Sequence, residues 1–525
     1  MAPSSTPIRT DPEGIRSVLA RLGEPCYVVE SQGQFGLSPE RPGAGARLVA
    51  VAPPCRPGQL GSAAFRSAHR LEAAYVAGAM AGGIASTRLV TSLAAAGYLA
   101  SFGAGGLSLN TVETRVTELV RSVGGRPFMV NLLYAPHDQE LEFKTVELLL
   151  RHGVHRLEAS AFLDITASLV WFRLSGLARR GGRVAIGNRI MAKVSRIEIG
   201  RKFLQPAPPK LVSSLLDRGL ITAEQAELAG SVPMADDITV EADSGGHTDG
   251  RPLVALLPLF AHEREALARK FRPAGSVRFG AAGGIGTPEA AAAAFALGAD
   301  YVVTGSVNQT CVEADLSDRA KTMLVAAEVT DFDLAPSADM FEIGSQVQVL
   351  KRGTMFAARA QRLRQLYDRY GSLDALSTAD REWLEQKILC RSIDAAWADV
   401  RDYLGQNQPG ELTRCEDPRR KMALLFRWYL GLSSRWAREG VAERAVDYQL
   451  WAGPALGAFN HWAAGSCLAA LRNRTAGEVA ANLMLGAAFT TRVVHLRTLG
   501  VRLPVSATTF RPIPDCETAL ARLAK

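Results

Sequence analysis

Two glycine-rich loops, one structural unit apart, carry the chemistry most legible in this sequence. In residues 277–309, VRFGAAGGIGTPEAAAAAFALGADYVVTGSVNQ, a short apolar run ends in Gly283 and Gly284. Thr287 then suits a helix cap, Pro288 the first helical position, and Glu289 the helix dipole. Gly298 stops that helix, and a second apolar run, 301–304, ends in Gly305 and Ser306. Bare backbone N–H groups in two such loops suit a phosphate, because a Cβ would hold the anion off the amides or forbid the backbone angles. Taken singly, these glycines need do no more than make tight turns.

A second segment, 241–252 (EADSGGHTDGRP), sets Gly245, Gly246 and His247 just past another apolar run. Two glycines admit a flat ligand, and the imidazole would stand over it; a lone loop histidine is as often a surface residue. Asn131 in FMVNLL and Lys193 in RIMAKV lie near the ends of apolar runs. An amide and a cation suit the nitrogen and oxygen edge of a flavin, whose reduced form carries negative charge there. A buried structural Asn and a Lys that reaches solvent are the competing readings. Residues 78–86 (GAMAGGIAS) are too small for ordinary core and could floor a planar ring. No G-x-G-x-x-G follows a strand and opens a helix, so a tightly held Rossmann dinucleotide is not supported and a nicotinamide cofactor would dock only transiently.

The elements that must position these groups alternate short apolar runs with helical patterns, the signature of a parallel sheet with crossover helices. Eight runs qualify: 74–80, 98–102, 128–133, 154–159, 189–194, 238–242, 277–281 and 301–304. Amphipathic stretches such as 111–123 and 139–152 lie between them. Eight β/α units over about 250 residues predict an α/β TIM (β/α)8 barrel. Residues 200–231 are too long for a plain connection and carry their own helical pattern, so a helical insertion is expected between the fifth and sixth strands. Long helical patterns follow residue 344, at 353–370, 378–403, 421–439 and 477–498. The resulting domain expectation is an appended segment at 1–67 with one strand near 25–29, the barrel at 68–344, and a helical C-terminal region at 345–525.

Composition agrees with a multi-unit globular chain. Of 525 residues, 47% are hydrophobic and 21% charged, which excludes global disorder and fibrous architecture. Sixty Lys plus Arg against 52 Asp plus Glu give a net charge of +8, spread rather than blocked. Nucleic acid is therefore not an expected partner, and an acidic protein fits at least as well. The seven cysteines are scattered and form no C-x-x-C pair, so reduced thiols are expected and a zinc knuckle is not. The N-terminus lacks a signal-peptide core and no apolar run looks long and uncharged enough to span a bilayer, which predicts a soluble, cytoplasmic protein with no membrane partner.

With these residues in hand, the chain resembles the PfaD family of trans-acting enoyl reductases of polyunsaturated fatty acid and polyketide pathways. The resemblance rests on AGAMAGGIAS, SFGAGGLS, FMVNLLYAP, NRIMAKVSR, EADSGGHTD, AAGGIGTPEAAAAAFALGADYVVTGSVNQT, QVQVLKRGTMFAARAQRLRQLY and DYQLWAGPALGAFNHW, in that order. The barrel also resembles FabK-type enoyl reductases and nitronate monooxygenases, which share a G-G-H loop. The resemblance implies noncovalent FMN, NADPH as transient hydride donor, and an enoyl thioester on an acyl carrier protein of a polyketide synthase or related system as substrate. Carried over residue by residue, Gly245, Gly246 and His247 match the flavin-facing loop. Gly283, Gly284, Gly305 and Ser306 match the phosphate loops, and Ala81, Gly82 and Asn131 the ring contacts. His247 and Lys193 are then the catalytic candidates, Lys351 and Arg352 could meet a phosphopantetheine phosphate or cap a helix, and Arg359, Arg362, Arg364, Arg419, Arg420 and Lys421 would steer an acidic carrier protein. A nitronate-type flavin oxidase and a noncatalytic flavin-binding assembly protein are the alternatives.

Overall fold

The computed structural model describes residues 8–43, 45–135, 138–246, 248–407 and 409–524. They form two compact units: Met1–Asp243, Asp249–Ala314 and Ala458–Lys525 make the first, Ser244–Thr248 and Asp315–Gly457 the second. Residues 345–525, expected together, are thus shared between the units, the chain from Ala458 onward belonging with the first.

The first unit opens with a three-stranded antiparallel sheet in the order β2-β1-β3, made of β1 (Cys26–Ser31), β2 (Gln34–Ser38) and β3 (Arg47–Ala52). Only one strand was expected here. The β1–β2 turn uses Gln32 and Gly33, both at positive φ, the geometry that matches strand twist in a two-residue hairpin.

Eight parallel strands then close a barrel. The first four are β4 (Tyr75–Ala77), β5 (Leu99–Phe102), β6 (Met129–Leu133) and β7 (Arg156–Ser160). An unforeseen hairpin, β8 (Leu177–Arg180) with β9 (Arg183–Ile186), turns through Gly181 and Gly182 at positive φ and stands apart from the barrel. The barrel resumes with β10 (Arg189–Val194), β11 (Asp237–Glu241), β12 (Arg278–Ala282) and β13 (Tyr301–Thr304). It closes where β13 pairs with β4, Val303 opposite Val76. All eight expected runs overlap these strands, because each is an apolar stretch bounded by turn residues and buried on both faces. The expected insertion holds helices Ile197–Phe203, Pro209–Asp217 and Ala223–Leu228.

Inside the barrel, Val76, Leu99, Met129, Met191 and Tyr301 share one buried cluster. Gly280 admits the Tyr301 ring, which a Cβ there would meet at 2.1 Å, and Phe65 stacks on that ring at 4.2 Å between centroids. Burying each such side chain contributes roughly 1.5–3 kcal/mol. Charged pairs seal the end at which the strands begin. Asp237 Oδ2 lies 2.7 Å from His69 Nε2, and its Oδ1 accepts from Arg278 Nε at 2.6 Å. Asp236 accepts from Arg173 at 2.5 Å and Arg189 at 3.1 Å. Burial alone would raise the Asp237 carboxyl, but His69 and Arg278 more than reverse this and hold it at about 2.

The second unit packs the hairpin β14 (Phe332–Pro336) and β15 (Gln346–Leu350) with helices Phe356–Arg369, Ile393–Asn407 and Pro418–Glu439 around Phe341, Phe356, Met422 and Phe426. The single helix expected over 378–403 is interrupted. It widens to a π turn at Leu384–Leu389, ends at Cys390 with φ +56, and restarts where Glu385 accepts from Ile393 N at 2.9 Å.

All seven cysteines are free thiols. One helix, Ala476–Thr498, is long and apolar enough to cross a membrane by length and composition, contrary to the reading that no run qualified; 78% of that stretch is buried within the protein.

Candidate active site

The expected phosphate loops occupy the ends of the last two barrel strands. Gly283 follows β12 at φ +88, and a Cβ there would lie 2.7 Å from the Asp243 carbonyl oxygen, so glycine lets this loop pass against the chain leaving β11. Gly284, at φ +75, faces open space, with nothing within 4 Å of the position a Cβ would take. Thr287 Oγ1 then accepts from Ala290 N at 3.3 Å and starts the nine-residue helix Pro288–Ala296, Pro288 filling its first turn. After β13, Gly305 likewise faces open space, and Ser306 begins a short turn. The N–H groups of Gly284 and Gly305 meet no acceptor among the described residues. A rigid hydrogen-bond set fixes the second loop: Tyr75 Oη to Thr304 Oγ1 at 2.5 Å, and Asn308 Nδ2 to Thr304 O at 3.1 Å.

Ala81 and Gly82 sit on the loop after β4, which is laced to the loop after β5. Gly82 N donates to Gly105 O at 2.7 Å and Gly83 N to Gly103 O at 2.9 Å. The approach is so close that a Cβ on Gly103 would fall 1.8 Å from the Met80 carbonyl oxygen. Asn131, near the end of β6, donates from Nδ2 to Ser160 Oγ at 2.8 Å and to Glu158 O at 3.3 Å. Its amide nitrogen thus serves the neighbouring strand, and Oδ1 is left as the atom for a ligand. Gly105 keeps that side open, since its Cβ would approach Oδ1 to 3.3 Å.

Lys193 is mostly buried rather than extended into solvent. Its side chain is 14% exposed, and Nζ pairs with Glu241 Oε1 at 3.1 Å. Burial pushes the ammonium down, but Glu241 and Glu158 outweigh it, so Lys193 titrates above the ordinary lysine value. Glu158 is the member that the sequence reading missed. It is fully buried on β7; Oε2 accepts from Ala79 N at 2.9 Å, and Oε1 has no partner. Oε1 would lie 3.6 Å from a Cβ on Gly78. Ser101 Oγ on β5 is a second buried polar atom without a partner. The available signal was a charge inside an apolar strand, HRLEAS, at a position that must face inward.

Gly245 and Gly246 fall in the segment counted with the second unit, where a Cβ on Gly245 would lie 3.2 Å from the Ala452 backbone. His247 lies outside the described residues. The base of this loop is closed in the first unit by Asp243 N donating to Arg251 O at 3.0 Å. The structure therefore groups Ala81, Gly82, Asn131, Lys193, Gly283, Gly284, Gly305 and Ser306 at the C-terminal ends of the barrel strands.

The residues of the expected basic steering surface have partners within the chain. Arg359 pairs with Asp447, Arg362 with Asp380, Arg364 with Asp368, and Arg420 with Glu411 and Glu342. Arg419 lies over Tyr367 and Lys421 over Trp397. Arg352 bonds Ala326 O, Glu328 and Asp331, and both it and Lys351 are exposed.

A closed parallel barrel with glycine-opened loops at its last two strand ends and partnerless buried polar atoms on its inner strands defines a TIM barrel with the strand-end loops that enzymes of this fold use for ligands. The family model for nitronate monooxygenase matches residues 69–355, more than half the chain, and that of the fatty acid synthase subunit PfaD N-terminal domain matches residues 3–54. A third, the inserted helical domain of [acyl-carrier-protein] S-malonyltransferase, matches residues 370–448. The enoyl reductase domain of MlnA, from the macrolactin cluster of Bacillus amyloliquefaciens, is 37% identical with TM-score 0.80, covering 84% of this chain and 99% of that one. The polyketide biosynthesis protein PksE of Bacillus subtilis is 46% identical over 81% of this chain and 55% of its own length. A polyunsaturated fatty acid synthase component of a Thraustochytrium species is 43% identical over 87% of this chain and 31% of its own length. The chain thus spans about a third to a half of these two longer relatives. It belongs to the nitronate monooxygenase family and, within it, to the PfaD-like enoyl reductases. The first 54 residues, to which the sequence reading assigned no role, carry part of that membership.

Proposed function

We propose that the protein is an FMN-dependent enoyl reductase that reduces the α,β-double bond of an enoyl thioester carried by an acyl carrier protein, with NADPH as reductant. The similarity to the MlnA enoyl reductase domain over nearly its whole length supports this reading most directly. The residues present fit the cofactor: open backbone at Gly284 and Gly305 suits a phosphate, and the partnerless Glu158 Oε1 and Ser101 Oγ suit the polar edge of a ring.

When bound, FMN would supply hydride chemistry, taking a hydride from NADPH and passing it to the substrate β-carbon. The chain's own groups do the rest. The loops at Gly284 and Gly305 would hold the phosphate on their backbone N–H groups. Lys193, kept protonated by Glu241 and Glu158, supplies positive charge where negative charge develops. His247 delivers the α-carbon proton or holds the enolate oxygen, a role usually contributing about 10²–10⁴-fold.

Anaerobic mixing with NADPH should bleach the flavin, and a crotonyl thioester of a carrier protein should restore it with formation of saturated acyl product. Bleaching that only oxygen reverses would favour a flavin oxidase, and a protein with no flavin would favour an assembly role. His247→Ala that retains FMN and full enoyl reduction would remove that residue from the reaction.

A further inference from the structure

Three arginines stand among the largest fully buried side chains of the described residues, and they are compensated differently. Arg173 pairs with Asp236 at 2.5 Å. Arg492 has no carboxylate but donates to five backbone carbonyls, those of Leu19, Arg21, Leu22, Glu24 and Pro53. Arg474, only 1% exposed, pairs with no carboxylate among the described residues and reaches a single backbone carbonyl. Its acceptors are Leu468 O at 2.8 Å, Asn460 Oδ1 at 2.9 Å and Thr310 Oγ1 at 3.2 Å, all neutral, and the Phe459 ring lies 5.1 Å away. A buried cation with so few dipoles is costly unless an anion completes it. Burial lowers the guanidinium to about 10, so it stays charged at neutral pH.

Thr310 links Arg474 to the loop where an anion would be held. It ends the turn Ser306–Thr310 that follows Gly305, and Val312 N donates to Arg474 O at 3.0 Å, tying Arg474 to the chain leaving that turn. Five residues at about 2.0 Å rise set Thr310 roughly 10 Å along the turn from the open backbone of Gly305, and the guanidinium lies one hydrogen bond from Thr310 Oγ1.

We infer that Arg474, supplied by the C-terminal segment that returns to the barrel unit, is the buried counter-charge of the cofactor phosphate held at the Gly305 loop. This rests on the FMN reading. Arg474 acts through Thr310 and through space and is a positioning residue. At about 10 Å and an effective dielectric near 20, one unit charge shifts affinity roughly tenfold.

The test is titration of the full chain, freed of flavin, with FMN and with riboflavin, which lacks the phosphate. The unaltered chain should bind FMN far more tightly. Arg474→Met should weaken FMN about tenfold or more and leave riboflavin unchanged, and Arg474→Lys, which keeps the charge, should recover most of the loss. Equal weakening of both ligands, or of neither, would overturn the inference. If Arg474→Met does not fold, the FMN-to-riboflavin affinity ratio in Arg474→Lys and Arg474→Gln decides: equal ratios overturn it, and a lower ratio in the Gln variant supports it. Equal affinity for FMN and riboflavin in the unaltered chain would instead refute the FMN reading itself.

Discussion

At one end of the barrel every oxygen of the buried Asp236 and Asp237 carboxylates has a partner within the chain; at the other, Glu158 keeps one oxygen with none. Both ends are built from the same eight strands, so strand formation does not explain the difference. The paired end holds its charges in place and rigidifies the closure. The unpaired end stores binding capacity that the chain itself does not use, as bare glycine amides and partnerless oxygens. Charge compensation and open backbone thus fall at opposite ends of one barrel, the division of labour between stability and ligand binding that this fold commonly shows.

Mutations should separate the two ends. The largest loss of stability should come from Asp237→Ala, which strands Arg278 and His69 in the interior; breaking a buried pair in this way costs about 3–5 kcal/mol, measurable by urea unfolding. A loss under about 1 kcal/mol would mean that the paired end is not the structural one. At the other end, Gly284→Asp places a charge and a side chain where backbone N–H groups face open space. FMN retention should fall by at least about a hundredfold, with the unfolding midpoint little changed; an unaltered flavin spectrum would remove the phosphate from this loop.

The paired end should also respond to acid. Because the folded Asp237 carboxyl is held at about 2, against an ordinary value near 3.8, its contribution is complete above about pH 4 and is lost as pH falls toward 2. That is roughly 2–3 kcal/mol, and Asp237→Asn should flatten this part of the stability profile. The smallest effect is expected for Glu158→Gln. The amide can still accept from Ala79 N and replaces a side chain that leaves one buried oxygen without a hydrogen bond, so stability should change by less than about 1 kcal/mol, whereas FMN affinity should shift about tenfold. A variant that unfolds but binds FMN normally would place Glu158 with the structural carboxylates.

Much of the barrel was legible because its strands are short apolar runs bounded by Gly, Asn and Asp, and its open glycine loops announce themselves by paired glycines next to a Thr-Pro helix start. The hairpin at 177–186 was not, since LARR and RVAI lack the alternation of a strand with one buried face. The N-terminal sheet was missed for a similar reason: QFGLS and RLVAVA leave several apolar side chains exposed, among them Phe35 and Val49. The break at Cys390 was hidden because a π turn changes no residue type, only the hydrogen-bond register.

By itself the sequence determined the number and order of the barrel strands, the loops left open by glycine, and the family to which the motifs belong, because periodicity, turn chemistry and motif order are local properties. Only the tertiary structure decided which charges are compensated. Glu158, Lys193 and Glu241 lie on three different strands, and Arg474 meets Thr310 across 164 residues of chain. Whether a buried charge stabilises the fold or waits for a ligand depends on what the folded chain brings within hydrogen-bond distance of it, and sequence spacing does not encode that distance.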